Sequence, residues 1–469
     1  MNYTDPIFFV FFALTFALYY TLRNGRLQVA LLVLASLFFY AWEAPAILGV
    51  FLCSWLITGL SSHGVLVARD PRRARWLATL GVAANLGLLA FFKYKFLFLP
   101  AAPAVTAHSA HTLGEWLLLA PLPIGISFYT FHGISLLVDV YRGNTAIARD
   151  AARPTAHYLT DTLLYLAFFP QLIAGPIIKA RDFMPQVSAK RFADIDFAAC
   201  FRLLVLGFFL KSVIADNLSS QTIWIAYPYF QWRSSIDLWL MLLGYSAQIF
   251  ADFAGYSLIA IGLARLLGYR LPDNFNFPYF ATSIADFWRR WHISLSSWLR
   301  DYLYIPLGGS QKGPTRTYVN LLIVMLLGGL WHGAAWSFAV WGLWHGAGLA
   351  LERRWLGSRF MRTSQRGVVG LRMLLVFAFV SIGWLFFKLQ EFSQALLYLR
   401  AMVVNPASGV STGMALLVLL YASAVALYHL ASLLRARISA LAKEVSYGVM
   451  LFLIVTSAGP STPFIYFQF

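Results

Sequence analysis

The chain has 469 residues, of which 60% are hydrophobic, 17% aromatic and only 12% charged. A soluble protein carries roughly 25% charged residues, so this chain has too little polar surface for water-soluble domains, and its mean hydropathy of +0.68 agrees. The formal net charge is +17, but the Lys and Arg residues are scattered between apolar runs and do not form the clustered footprint of a nucleic-acid-binding protein. The composition predicts a polytopic membrane protein without a nucleic-acid partner.

Apolar runs close to the membrane-spanning length of about 20 residues recur from one end of the chain to the other. They are continuous and lack the alternation of a β-barrel, so they predict an all-α fold of about ten to twelve transmembrane helices, with the remaining runs re-entrant or interfacial. No linker or repeat separates them, which favours one domain over residues 1–469. The runs lie near residues 7–22, 28–42, 45–61, 76–99, 114–139, 161–178, 197–215, 236–266, 317–335, 336–351, 368–388, 412–434 and 445–458.

Loop charge predicts the orientation of these helices. The start of the chain has neither a basic region nor a cleavage site, so the first run is expected to be a retained helix and not a signal peptide. Arginines occupy every second loop, at positions 23 and 26, then 69, 72, 73 and 75, then 142, 149 and 153, whereas the loops near 42–45 and 100–112 have none. The arginine-rich loops are therefore expected in the cytoplasm and the N-terminus outside.

Histidines in apolar surroundings are the first candidates for chemistry, because an ionisable group within a membrane is a functional hypothesis by default. His332 stands out, since Gly328, Gly329 and Gly333 would let neighbouring helices approach closely and Trp331 would wall a pocket. The alternative is that His332 only donates one hydrogen bond between helices. The histidines in or beside apolar runs are His132, His292, His332, His345 and His429, and those in loops or at span ends are His63, His108, His111 and His157.

The segment around His292 predicts an amphipathic helix. At 100° per residue, one arc contains Trp288, Trp291, Leu295, Trp298 and Leu299, and the opposite arc contains Arg289, Arg290 and Arg300. His292 lies at the margin of the aromatic arc. Such a helix would lie at the membrane interface or line a cavity, or it would be only a structural anchor with a snorkelling basic face.

Interruptions of the apolar runs indicate a polar route inside the helical bundle. The segment Asp252–Ser257, which includes Tyr256, puts a carboxylate and a glycine inside a long apolar run, and the turn-rich loop 271–279, which contains Asn274, follows that run. The segment Phe169–Pro176 is a second helix interrupted by Pro and Gly, and 267–316 is too irregular for a simple hairpin. Irregular backbone at membrane depth is tolerated where it is buried in protein or lines a cavity. The P-loop, the dinucleotide-binding glycine fingerprint, H-E-x-x-H and G-x-S-x-G are all missing, and Cys53 and Cys200 have no metal or disulfide spacing. Histidine-centred acyl or proton transfer remains, with a proton-coupled transporter as the alternative.

Taken together, these stretches resemble the membrane-bound O-acyltransferase family, and within it the bacterial branch that includes alginate O-acetyltransferases. The most specific part of the resemblance is 121–390. The matching segments are Pro123–Phe131, Asp139–Gly143, Phe169–Pro176, Lys211–Leu218, Asp252–Ser257, Leu271–Tyr279, Asp286–Leu307, Gly328–Gly333 and Ile382–Phe387. The sequence of the segment Asp252–Ser257 is more similar to that of the related branch that exports D-alanine onto teichoic acids. His132 stands where the alginate branch is expected to have Gln.

The resemblance implies a funnel that opens to the cytoplasm and an extracytoplasmic opening, which meet at a histidine buried in the membrane. The catalytic histidine of the family falls on His332 and its second characteristic position on His292. Implied partners are acetyl-CoA or another acyl thioester as donor substrate, periplasmic acetyltransferases, a polysaccharide acceptor such as alginate, and the lipid bilayer of a bacterial inner membrane, with no bound cofactor or metal. The residues expected to bind substrate are Trp288, Arg289, Trp291, Arg300, Trp331, Asp252, Tyr256 and Asn274.

The expected reaction is acyl transfer from a cytoplasmic thioester to an extracytoplasmic hydroxyl. An imidazole with an ordinary pKa near 6.5 suits His332 as the general base, and a covalent acyl-histidine is a variant that stays open. His292 would position the thioester or stabilise the oxyanion, and the arginines would meet the phosphates of the donor or of lipids. Two alternatives remain: an acyl or D-alanyl transferase that uses a carrier-protein thioester, and a transporter without chemistry.

Overall fold

A computed structural model describes residues 1–42, 45–98, 112–144, 154–172, 174–355, 358–405, 409–434 and 439–465, and these residues form helices and connecting segments without a β-strand. The α-helices are α1 Pro6–Thr21, α2 Gly25–Ala41, α3 Leu48–Val67, α4 Pro71–Phe98, α5 Leu113–Leu119, α6 Ile126–Tyr141, α7 Thr155–Ala167, α8 Phe169–Leu172, α9 Ala180–Phe183, α10 Phe197–Phe208, α11 Asp216–Thr222, α12 Ser235–Leu266, α13 Ile284–Arg290, α14 Ile293–Leu299, α15 Gly313–His332, α16 Trp336–Trp355, α17 Arg359–Arg362, α18 Arg366–Lys388, α19 Phe392–Val404, α20 Thr412–Leu434 and α21 Ala440–Thr456. Phe209–Ala215 and Arg300–Tyr304 are π-helical. The all-α prediction is confirmed for this part of the chain.

Six helical segments in the described ranges are long and apolar enough to cross a membrane: Pro45–Val67, Pro71–Lys95, Phe197–Ile225, Ser235–Leu266, Arg366–Lys388 and Thr412–Leu433. Three further apolar helices, α1, α2 and α19, are shorter. The apolar stretch of α12 is 83% buried, against 28–39% in the other five segments. Because those five expose most of their apolar surface, they are suited to lipid contact, and α12 is an interior helix. The chain is a multi-pass membrane protein.

Two of the apolar runs are not single helices. The run 114–139 divides into α5 and α6, because Pro121 and Pro123 cannot continue a helix and Gly125 adopts a left-handed conformation with φ of +70°. The run 161–178 divides into α7, which ends at Ala167, and the four-residue helix α8, Phe169–Leu172, which confirms the predicted interruption at Phe169–Pro176. The irregular character predicted for 267–316 is also observed, since its helices before α15 have at most seven residues.

The described residues pack into two compact units. The first contains residues 1–200 and 260–272, in which α3 packs against α4 and α6, and α2 against α7. Polar groups help to hold these helices together: Ser54 on α3 donates a hydrogen bond of 2.7 Å to buried Asn85 on α4, and Arg26 forms an ion pair of 2.6 Å with buried Asp161. The single-domain interpretation of 1–469 stays a prediction.

The second unit contains residues 201–259 and 273–469. Its largest helix pair is α15 and α16, and α18 packs on α16. Several sequence features fall outside the described residues: Glu43 and Ala44, loop residues 100–111 with His108 and His111, and the loop arginines Arg149 and Arg153. The predicted orientation and the count of ten to twelve spans stay predictions.

Candidate functional site

Helices α15 and α16 form a tight antiparallel hairpin, and His332 is the last residue of its first helix. The close packing depends on glycines: a Cβ on Gly329 would lie 2.2 Å from the Phe338 carbonyl oxygen, and one on Gly342 would lie 2.3 Å from the Met325 carbonyl oxygen. A Cβ on Gly333 would likewise overlap the Phe338 ring. The small residues around His332 therefore allow backbone contact between helices, as the sequence predicts.

His332 lines a cavity of about 190 Å³ in the second unit. The residue His332 is 7% exposed. Its ring centroid lies 4.9 Å from that of Trp331 and 5.1 Å from those of Trp341 and Phe387. Apart from His332, most of the lining is apolar or aromatic. The lining residues are Trp288, Leu295, Ser296, Leu299, Arg300, Tyr304, Leu321, Val324, Met325, Gly328, His332, Trp341 and Leu349.

The predicted continuous amphipathic helix around His292 is wrong. Helix α13 ends at Arg290, and His292 adopts a left-handed conformation with φ of 44° before α14 begins at Ile293. Such a conformation is costly for a residue other than glycine and persists only where its surroundings enforce it. The loop 271–279 supplies that constraint, because Asn276 donates its backbone N–H to the Arg290 carbonyl oxygen at 2.9 Å and Ile293 donates to that of Asn274 at 3.0 Å.

Asn274 fixes the start of α14 through its side chain as well. Its Oδ1 accepts a hydrogen bond of 2.9 Å from the Ser294 hydroxyl, and its amide group donates one of 3.1 Å to the Ser257 hydroxyl on α12. All three side chains are buried. The structure therefore gives Asn274 the geometry of a positioning residue for the His292 segment, and it is not among the residues that line the His332 cavity.

His292 is 1% exposed and lies among aromatic rings. Its ring centroid is 4.6 Å from that of Phe253 and 6.2 Å from that of Trp331, so Trp331 neighbours both histidines. Of the predicted aromatic residues, Trp288 lines the His332 cavity, whereas Trp291 packs against Trp384 at 4.8 Å. The structure thus gathers the two histidines in one aromatic cluster, with His332 on its cavity side.

The arginines expected near donor phosphates occupy three different settings. Arg300 lines the cavity with a side chain that is 62% exposed, and it forms an ion pair of 2.8 Å with Asp301. Arg289 is exposed and does not line the cavity. Arg290 pairs with Asp286 at 2.9 Å within α13. Arg300 alone of the three is placed beside the His332 cavity.

Asp252 and Tyr256 belong to a buried ion cluster, and neither lines the His332 cavity. Lys211 in the π-helical segment is fully buried, and its Nζ lies 2.9 Å from Asp252 Oδ1 and 2.7 Å from Asp216 Oδ1. Lys211 Nζ also lies 5.2 Å from the centroid of the Tyr256 ring. The Ile465 backbone N–H donates to Asp252 at 2.8 Å, so the cluster holds the segment 457–465.

That segment connects the ion cluster to the aromatic cluster. Lys211 Nζ donates to the Thr462 carbonyl oxygen at 2.9 Å, and the Phe464 ring contacts those of Tyr256 and Phe253 at 4.7 and 5.5 Å between centroids. Phe253 is the ring that contacts His292. This arrangement is not predicted from the sequence, although Lys211 lies in one of the segments that match the family, and a lysine in a mainly apolar run is a signal for a buried partner.

Trp341 and Phe387, which wall His332, were also missed as site residues, and Phe387 lies in the matching segment Ile382–Phe387. His345 was not singled out either. It is fully buried, its ring centroid lies 4.9 Å from that of Trp341, and neither ring nitrogen has a hydrogen-bond partner among the described residues. The tripeptide Trp344-His345-Gly346 repeats Trp331-His332-Gly333 and would have drawn attention to it.

The other two buried histidines lie in different surroundings. His132 is buried in the first unit beside Tyr165, and His429 accepts a hydrogen bond of 3.3 Å from the Tyr279 backbone N–H. Among the described residues, no group of three His, Cys, Asp or Glu side chains is arranged to hold a metal ion.

Comparison with known proteins identifies the fold family of this site. The profile of the membrane-bound O-acyltransferase family matches residues 126–390, which include both histidines, Asn274 and the ion cluster except for its C-terminal contacts. The chain is 39% identical over 404 residues to the probable alginate O-acetylase AlgI of Azotobacter vinelandii, covering 84% of this chain and 76% of that protein.

Two further relatives are named for other acyl groups or other polymers. The chain is 36% identical over 431 residues to the peptidoglycan O-acetyltransferase of Helicobacter pylori, covering 86% of this chain and 79% of that protein. It is 27% identical over 283 residues to the teichoic acid D-alanyltransferase of Bacillus subtilis, covering 57% and 69%. These are enzymes of acyl transfer, which decides against a transporter without chemistry. The chain belongs to the membrane-bound O-acyltransferase family and is an O-acyltransferase.

Proposed function

We propose that this enzyme takes acetyl from a cytoplasmic thioester, acetyl-CoA, and passes it across the inner membrane for O-acetylation of a secreted polysaccharide such as alginate. The chain is more identical, and over a longer alignment, to an alginate O-acetylase and a peptidoglycan O-acetyltransferase than to a D-alanyltransferase. This difference supports acetyl as the acyl group. The partners in this proposal are periplasmic acetyltransferases that deliver the acetyl group to the polymer.

The observation that carries the proposal is the position of His332 in an elongated apolar cavity. On α15 the lining residues extend from Leu321 to His332, a helical distance of about 16 Å at 1.5 Å per residue. The far end of the hairpin is basic, with Lys312 and Arg316 at the start of α15 and Arg353 and Arg354 in the last turn of α16. Basic helix ends favour the cytoplasm, so a donor would enter there with its thioester directed toward His332.

In the proposed reaction, His332 acts as the general base. Its imidazole takes the proton from the acceptor hydroxyl, the hydroxyl oxygen attacks the thioester carbonyl carbon, and the carbon–sulfur bond breaks. The imidazolium then returns the proton to the departing thiolate, so that the products are an acetyl ester and free CoA. The apolar walls formed by Trp331, Trp341 and Phe387 would exclude water, which would otherwise compete with the acceptor for the acetyl group.

His292 is proposed to stabilise the oxyanion or to position the thioester, and the aromatic contacts with Phe253 and Trp331 support its placement beside the reaction centre. Arg300 is the cation of this set that lines the cavity, so it is the residue proposed to meet a donor phosphate, by exchanging its Asp301 partner for the ligand. The proposed funnel around His332 and the total of ten to twelve spans belong to the same hypothesis.

Thioester cleavage by the purified enzyme tests this proposal. Labelled acetyl-CoA is supplied to the protein in nanodiscs, with a soluble hydroxyl acceptor, and free CoA is measured. We expect His332→Ala to lower the rate by at least about 10²-fold, the lower end for loss of a positioned base. His132→Gln is the matched control, because it replaces a fully buried histidine of the other unit by the residue expected in the alginate branch.

Equal turnover by wild type and His332→Ala would refute the role of His332. A loss in both variants, together with a lowered unfolding temperature, would indicate a general sensitivity to histidine substitution. Cleavage of an acyl carrier-protein thioester in place of acetyl-CoA would identify the carrier protein as the donor. The 27% identity to the D-alanyltransferase is the reason to test this donor.

A further inference from the structure

A second cavity, of about 790 Å³, lies in the first compact unit and shares no residue with the His332 cavity. It is formed where the loop 186–196 meets the end of α12 and the residues that follow it. Its lining contains four cationic side chains and two carboxylates. The cations are Lys190, Arg191, Arg265 and Arg270, and the carboxylates are Asp194 and Asp196.

The carboxylates do not neutralise the whole lining. Asp194 pairs with Arg191 at 2.9 Å, and Asp196 accepts a hydrogen bond of 2.9 Å from the Ala199 backbone N–H at the start of α10. Lys190, Arg265 and Arg270 form no ion pair with another described residue. Four cations against two carboxylates leave the lining with a net charge of +2, which an anionic ligand would offset.

Two glutamines hold the backbone at Lys190 and Arg270, two of these three cations. Gln28, which is 1% exposed, accepts from the Lys190 backbone N–H and donates to the Lys190 carbonyl oxygen, both at 2.9 Å. Gln186 accepts from the Arg270 backbone N–H at 2.7 Å and donates to its carbonyl oxygen at 3.1 Å. The backbone of Lys190 and of Arg270 is thus fixed on both sides of the Cα, so little backbone entropy remains to be lost at these two residues when a ligand binds.

The Lys190 side chain is also confined. A Cβ on Gly268, which has a φ of +80°, would lie 2.9 Å from two carbons of the Lys190 side chain, and Lys190 Nζ lies 4.9 Å from the centroid of the Tyr269 ring. Burial and the neighbouring Arg270 guanidinium lower the pKa of the Lys190 ammonium. Two cations held close together without a counter-ion are unfavourable, and an anion between them relieves the repulsion.

We infer that this cavity binds a phosphate group through Lys190, Arg265 and Arg270. A phosphate offers several acceptor oxygens to a guanidinium fork and an ammonium at once, and the volume accommodates more than the phosphate itself. Two kinds of ligand carry such a phosphate group: the headgroup of an anionic phospholipid, and a soluble phosphate compound such as a nucleotide. The inference is independent of the proposed acetyl transfer.

Binding of two probes distinguishes these sources. The first is inorganic pyrophosphate, measured by equilibrium dialysis against delipidated protein in a neutral detergent. The second is phosphatidylglycerol, measured as lipid that remains bound in native mass spectrometry after exchange from mixed phosphatidylglycerol and phosphatidylcholine vesicles. The variants are Lys190→Gln and the pair Arg265→Gln with Arg270→Gln, whose two side chains are exposed, so that folding is preserved. The control pair is Arg72→Gln with Arg73→Gln, which removes the same charge from an exposed helix start in the same unit.

We expect the Arg265 and Arg270 pair variant to weaken the binding of at least one probe by about tenfold or more, as for loss of charge-assisted hydrogen bonds, while the control pair binds as the wild type does. Retention of phosphatidylglycerol alone would assign the site to a lipid headgroup, and binding of pyrophosphate alone would assign it to a soluble compound. The inference is overturned if neither probe binds the wild type. It is also overturned if the control pair of Arg72 and Arg73 loses as much binding as the pair of Arg265 and Arg270.

Discussion

Replacement of Lys211 by methionine tests the energetic role of the buried ion cluster. Methionine matches the four-atom stem of the lysine side chain but lacks the ammonium that lies 2.7 Å from Asp216 and 2.9 Å from Asp252. Both carboxylates stay buried, with 2% and 4% of their side chains exposed. Removing one partner of a buried ion pair costs about 3–5 kcal/mol, because the remaining charge is desolvated without compensation.

This cost converts into a measurable change in thermal stability. A loss of 1 kcal/mol lowers the unfolding temperature by roughly 2–4 °C in a domain of 150–250 residues, which is about the size of the second compact unit that contains the cluster, so we expect Lys211→Met to lower the unfolding temperature of this unit by on the order of 10 °C. Tryptophan fluorescence of the protein in detergent during heating measures the transition. Lys443→Met, which removes an exposed lysine of the same unit, is expected to change it little.

A neutral cluster separates charge imbalance from lost packing. The triple variant Lys211→Met, Asp216→Asn, Asp252→Asn has no buried charge at this site, and we expect it to regain much of the stability that Lys211→Met loses. An unfolding temperature of Lys211→Met within about 1 °C of the wild type, well below the expected change, would refute the reasoning. So would a triple variant that is less stable than the single one, because the destabilisation would then come from lost hydrogen bonds and packing.

Three further substitutions probe the elements around the two histidines. Gly342→Ala places a Cβ 2.3 Å from the Met325 carbonyl oxygen, so we expect a loss of about 1–3 kcal/mol from overpacking, measured by thermal unfolding, whereas Gly367→Ala, with open space around its Cβ position in the first turn of α18, leaves stability unchanged or slightly raised. Asn274→Ala removes the support of the His292 segment, and acetyl transfer should fall by at least about tenfold with a smaller effect on KM, whereas Asn274→Ser restores part of it. Ile465→Pro removes the N–H that donates to Asp252 and also part of a buried side chain, so we expect a loss of at least about 1.5–3 kcal/mol, the value for a hydrogen bond to a charged group, while Ile465→Val, which keeps the N–H, loses only about 0.5–1.5 kcal/mol.

Local chemistry in the sequence predicts several parts of the fold correctly. The glycines beside His332 predict a close helix contact because a residue without a Cβ is needed wherever two backbones touch, and Gly329 and Gly342 meet that need. The proline and glycine residues of Phe169–Pro176 predict a break because proline lacks the N–H that continues a helix. Both signals act within a few residues, which is why a sequence reveals them.

The break at His292 is not visible in the same way. The arc of Trp288, Trp291 and Leu295 satisfies the helical period, and no proline or glycine interrupts it. The left-handed backbone of His292 is imposed by two backbone hydrogen bonds of its neighbours, in which the Asn274 carbonyl oxygen accepts and the Asn276 N–H donates. Both asparagines precede α13 in the chain. A constraint from outside the segment overrides its periodicity, as tertiary contacts commonly override local preference.

Lys211 and Ile465 illustrate the same limit at greater separation. The mainly apolar neighbours of Lys211 indicate a buried charge, and a buried charge needs partners. The residues near Lys211 in the sequence do not indicate that these partners include Asp252 and a segment more than 240 residues away. Such contacts are encoded by the packing of whole helices.

The two Trp-His-Gly tripeptides show why geometry has to decide between equivalent motifs. Both histidines follow a tryptophan, precede a glycine and contact the same Trp341 ring, at 5.1 Å for His332 and 4.9 Å for His345. His332 ends a helix and lines a cavity that extends to the exposed Arg300 side chain, whereas His345 lies within α16, is fully buried and lines none of that cavity. A general base must come within about 3 Å of the proton that it removes, so a ring sealed inside the helix packing cannot reach a substrate unless the helices separate. Access to the cavity, and not the tripeptide, therefore makes His332 the base in the proposed reaction.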